Sequence, residues 1–89
     1  MTFLETYHLL DRHKYAIVDD ELYFINVSMN SEGFVLTLDS TSNKRNRSVI
    51  LFSENKNQNN NVNGSTITMT DPNGWKVFIT PLSVAPIYE

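Results

Sequence analysis

A single four-residue turn constrains this chain more than any other feature. Asp71-Pro72-Asn73-Gly74 separates two runs with strand character, Thr66–Thr70 and Trp75–Thr80. Asp71 can accept hydrogen bonds from the backbone ahead of it, Pro72 presets its own φ, and Gly74 tolerates a left-handed conformation. Thr66-Ile67-Thr68-Met69-Thr70 alternates polar and apolar residues, the period of a half-buried strand. The spacing predicts an antiparallel hairpin. Ile67 and Met69 share a face with Val77 and Ile79, or with Lys76 and Phe78 if the register slips by one residue.

Similar signals recur upstream. Tyr15–Val18 is short and β-rich, and Asp19-Asp20-Glu21 interrupts it as an acidic turn. Leu22–Ser28 and Phe34–Asp39 flank a loop ending in Gly33 and predict a second hairpin. In the latter strand Phe34, Leu36 and Leu38 face one way, and Val35, Thr37 and Asp39 the other. Ser48–Ser53 holds the continuous apolar run Val49-Ile50-Leu51-Phe52, so both faces need cover, or one must meet a helix. Pro81 and Pro86 bracket residues 82–85, which fit an edge strand or an extended arm.

Only the start of the chain carries a helical period. Phe3, Tyr7 and Leu10 fall on one face, widened by Leu4 and Leu9, and Thr2 with Glu5 fits a capping box. A helix over 3–11 is too short to be stable alone and must pack on something. The predicted fold is mainly β with one short N-terminal helix: a small antiparallel sheet or a partly closed five- to six-strand barrel. At 89 residues the chain forms a single small domain over 1–89. Residues 54–65, dominated by asparagine and nearly devoid of apolar side chains, predict a mobile loop.

Chemistry is sparse. With no cysteine, disulfides, thiolate metal sites, cysteine nucleophiles and iron–sulfur clusters are excluded. Three scattered glycines give no phosphate-cradling loop, and no serine sits in a Gly-x-Ser-x-Gly setting. His8 and His13 are five apart, not the spacing that aligns two ligands on one helical face. Asp19, Asp20 and Glu21 lack the alternating oxygen ligands and glycine of a calcium loop. No catalytic residue, metal site or cofactor is assigned, and the expectation is a protein that is not an enzyme.

The aromatic share of 11 % is generous, and one short helix cannot cover every strand face. Leftover apolar surface rimmed by polar residues marks an interaction site. Tyr23, Phe24, Trp75 and Phe78 are the candidate anchors for a protein partner or a second copy of the chain. Asp19, Asp20 and Glu21 are available to meet a basic partner. The composition is of the kind found in phage or mobile-element accessory proteins, which suggests an inhibitor or modulator of a host factor. The alternative is a small nucleic-acid-binding barrel using Lys44, Arg45 and Arg47, disfavoured by the net charge of −3. Charged residues in the first twenty positions leave no signal-peptide core and no apolar run spans a membrane, so a cytoplasmic location is expected.

Overall fold

The computed structural model describes residues 1–41 and 46–83. A helix, α1 (Phe3–Asp11), precedes seven strands: β1 (Tyr15–Val18), β2 (Glu21–Met29), β3 (Gly33–Ser40), β4 (Arg47–Ser53), β5 (Asn61–Asn63), β6 (Thr66–Thr70) and β7 (Lys76–Leu82). All pairings are antiparallel, in the order β4-β3-β2-β1-β7-β6-β5. The sheet is therefore mainly antiparallel β with one short helix. It is open, with seven strands rather than five or six, and is not closed into a barrel.

Both sequence-predicted hairpins form. In the β6–β7 turn, Asp71 Oδ1 accepts from the N–H groups of Asn73 and Trp75, each at 2.9 Å, and Gly74 adopts φ +87°. The register sets Ile67 opposite Ile79 and Met69 opposite Val77, all four buried, so the unslipped alternative is the one adopted. In the β2–β3 turn, Asn30 Oδ1 accepts from the N–H groups of Glu32 and Gly33, both at 2.9 Å. Gly33 is required by close approach, because a Cβ there would overlap the carbonyl oxygen of Phe52 on β4.

α1 is capped as its sequence implies. Thr2 Oγ1 accepts from the Glu5 N–H at 3.2 Å, and Glu5 Oε1 accepts from the Thr2 N–H at 3.0 Å. Hydrogen bonding to the Thr2 backbone N–H, and then to the Thr2 side chain, holds the Glu5 carboxyl below its ordinary range. Phe3 and Leu10 are buried, whereas Leu4 faces solvent instead of widening the apolar face. The Phe34 ring, wholly buried, lies 5.3 Å from Phe3, 5.6 Å from Tyr7 and 5.6 Å from Phe52. Burial of a side chain of this size contributes about 1.5–3 kcal/mol. The helix covers one face of the sheet only, the face shared by Ala16, Val18, Ile25, Val27, Phe34, Leu36 and Ile79.

β4 and β5 are consecutive in the chain yet form opposite edges of the sheet. Six strand spacings of about 4.8 Å would separate them by roughly 29 Å if the sheet were flat. The connection 54–60 is folded into a turn at its start, where the Asn57 N–H donates to Glu54 O at 3.1 Å, so it cannot reach that far. The sheet must curl. Asn57 fastens the curl: its Nδ2 donates to Ser53 O and Thr70 O, each at 3.0 Å, and its Oδ1 accepts from the Thr70 N–H at 2.8 Å. Asn60 Nδ2 donates to Thr6 Oγ1 at 3.0 Å and joins this connection to α1. Residues 54–65, predicted as a mobile loop, thus contain a three-residue strand and two buried asparagines.

Candidate protein-binding face

Alternation along each strand sends a second set of side chains to the face opposite α1. Cross-strand partners share a face, so the register lists its members in rows. One row runs Arg47, Asp39, Phe24, Tyr15, Leu82. A neighbouring row holds Leu22, Ile17, Thr80 and Thr66, with Thr66 Oγ1 and Thr80 Oγ1 hydrogen-bonded at 2.8 Å. Phe78 lies one step further along β7, opposite Thr68. The Tyr15 and Phe24 rings stack at 5.0 Å with planes tilted by 45°. Phe24 is 43 % exposed and Phe78 50 % exposed, although neighbouring inward residues on the same strands are buried.

The acidic hairpin sits beside this face. Asp19 and Asp20 both take positive φ, 48° and 70°, and form the two-residue turn between Val18 and Glu21. Asp19 bonds the backbone of β7 twice: its N–H donates to Phe78 O at 3.1 Å, and its side-chain Oδ1 accepts from the Phe78 N–H at 3.1 Å. β1 and β7 are antiparallel neighbours, so the β1–β2 turn and the β6–β7 turn leave the sheet at the same end. Trp75, 72 % exposed, belongs to the second of these turns.

The sequence-predicted anchors therefore divide. Phe24 and Phe78 share the uncovered face, and Trp75 and Asp19–Glu21 share one end of the sheet. Tyr23 does not join them. It pairs with Ala16 on the helix side and packs at the margin of the core. The Glu21 carboxylate accepts from its phenol and raises its pKa. Tyr15 and Ile17, not singled out by sequence, belong to the same face as Phe24. Extending the alternation of β2 across to β1 would have identified them.

The basic residues give a different picture. Arg47 Nε donates to Asp39 Oδ1 at 2.7 Å, an exposed ion pair that holds the guanidinium above its ordinary pKa. Lys44 and Arg45 lie outside the described residues. No group of three or more His, Asp or Glu side chains among the described residues is placed to hold a metal ion. His13 Nδ1 lies 2.7 Å from Leu9 O at the end of α1. No helix among the described residues is long and apolar enough to cross a membrane. No family model matches the chain, and neither the curated proteins nor the solved structures contain a match.

Proposed function

We propose that this chain is a non-enzymatic protein-binding module, an accessory protein of phage type that inhibits or modulates a host factor. The observation that carries the reading is the sheet face opposite α1, where Tyr15, Ile17, Phe24 and Phe78 stand on adjoining strands and no layer of the described residues lies above them. Leaving aromatic rings in water forgoes the burial that would stabilise a small domain, and such surface is characteristic of contact sites. Partly exposed, tethered aromatic side chains are the usual energetic anchors of protein interfaces.

The acidic end supports the same reading. Asparagine followed by glycine suits two consecutive positive φ values better than two aspartates. Asp19 and Asp20 also carry like charges at adjacent positions, next to Glu21. A basic partner surface would offset that repulsion on binding. Trp75 beside it supplies an apolar anchor at the rim.

Affinity capture with the whole chain tests this reading, comparing the wild type with the Phe24→Ser/Phe78→Ser double variant and with Trp75→Ala. A partner retained by wild type and lost by the double variant supports the face. Equal recovery by all three proteins removes it.

A further inference from the structure

We infer that two copies of this chain associate edge to edge through β4, as a two-fold symmetric antiparallel strand pair that continues the sheet from one protomer into the other. The inference goes beyond the outer-face reading and does not depend on it. The two edges of the sheet differ. β5 is blunted: it has three residues, two of them asparagine, and runs into Gly64 at φ +63°. β4 has seven residues, a single charge at Arg47 and neither proline nor glycine. Val49 is 60 % exposed on it, with Ile50 and Leu51 half-buried. On the side away from β3, the backbone groups of residues 48–52 have no hydrogen-bond partner among the described residues. A long, apolar, unpaired edge is a template for another strand.

Charge selects a second copy as that strand. Arg47 opens β4, and Glu54 follows its other end, where the Glu54 N–H donates to Glu32 O at 3.0 Å. Ser31, Glu32, Ser53, Glu54 and Asn55 line a cleft of about 490 Å³ at that end. An antiparallel copy centred on Ile50 sets Val49 opposite the partner's Leu51 and Arg47 opposite the partner's Ser53. The basic end of each β4 then meets the acidic cleft of the other, twice, as an isologous interface requires. Arg47 can serve both Asp39 and this cleft, because its guanidinium has five N–H donors. The pairing also joins Val49 and Leu51 of both protomers into one apolar strip.

Sedimentation equilibrium of the full chain at about 100 µM tests the inference, a concentration at which a micromolar Kd leaves mostly dimer. Wild type is expected at twice the chain mass. Val49→Lys, which places a charge on the edge, is expected at the monomer mass with an unchanged far-UV circular dichroism spectrum. Glu32→Gln/Glu54→Gln is expected to weaken the dimer by about tenfold or more, and added salt to weaken wild type in the same direction. A monomeric wild type overturns the proposal, as does a Val49→Lys protein that remains dimeric. Phe24→Ser/Phe78→Ser is expected to stay dimeric. If it alone becomes monomeric, association runs through the outer face, and the edge proposal fails while the face reading stands.

Discussion

Asn57 is one side chain on which the shape of the whole sheet depends, and its replacement should be costly in a specific way. The residue is fully buried and makes three hydrogen bonds, two donated and one accepted, that join the end of β4 to the end of β6. At about 0.5–1.5 kcal/mol for each bond, Asn57→Ala should lose about 2–4 kcal/mol. A domain of this size has a total stability of about 5–13 kcal/mol, so the loss should lower the melting temperature by about 10–20 °C. Asn57→Asp separates hydrogen bonding from simple filling of space. The new carboxylate can still accept from the Thr70 N–H, but its second oxygen faces two carbonyl oxygens, those of Ser53 and Thr70. The folded state disfavours the charged form there, so the folded pKa is raised above the unfolded value of about 3.9. The unfolded state therefore releases the proton more readily. The variant should be less stable than Asn57→Ala at neutral pH, and should regain stability as pH falls through the raised folded pKa. Urea denaturation of the three proteins at a series of pH values reads this directly. The reasoning is refuted if Asn57→Ala costs less than about 1 kcal/mol, or if Asn57→Asp equals Asn57→Ala at neutral pH and does not recover on acidification.

Other consequences can be checked with the same equipment. Gly33→Ala forces a Cβ onto the Phe52 carbonyl oxygen, so β3 and β4 must part; thermal melts should show a loss of several kcal/mol, about 3 or more, or no folded protein. Asp20→Gly relieves a positive φ at a non-glycine residue and removes one of three adjacent carboxylates; it should raise stability by up to about 1 kcal/mol while weakening capture of a basic partner, and a destabilised variant would contradict the reading of that turn. The lowered folded pKa of Glu5 stabilises the fold above the unfolded carboxylate pKa, an advantage lost as pH falls through the folded value; the stability gap between wild type and Glu5→Gln should shrink on acidification, and a gap independent of pH would show that the capping carboxylate contributes nothing. Labelled single-stranded DNA should show no binding that persists at moderate salt; salt-sensitive binding abolished by Lys44→Ala/Arg45→Ala/Arg47→Ala would replace the protein-binding reading.

Local features were legible in the sequence because their causes are local. The Asp71–Gly74 turn, the Thr2–Glu5 cap and the alternation through Phe34, Leu36 and Leu38 each depend on neighbours a few positions away. Strand β5 was not legible, because Asn61-Val62-Asn63 has poor strand propensity and pairs only once β6 is in place. Asn57 could not be told apart from the asparagines around it, since its role arises from where Ser53 and Thr70 meet in space. Pro81 lies within β7, where it faces Ala16 just past the end of β6, a position that an edge-only rule for proline admits. The candidate face was half legible. Alternation put Tyr23 and Phe24 on opposite sides, but which side α1 would cover is a question of tertiary packing. That packing assigned Tyr23 to the core side and Phe24 to solvent.

The pairing of β1 with β7 also governs how the molecule comes to be folded. Every other ladder joins strands that follow one another in the chain, so β1-β2-β3-β4 and β5-β6-β7 can each zip up as a local meander. Among the strand ladders, only the pairing of residues 15–18 with 79–82 brings distant parts of the chain together, and it shares the entropy of ring closure with the bonds that tie Met1 and Thr6 to Asn60. The two meanders should therefore form early, and their docking along β1 and β7 should set the folding rate. Extra residues inserted between β4 and β5 would slow that docking only gently, because closure entropy grows with the logarithm of loop length.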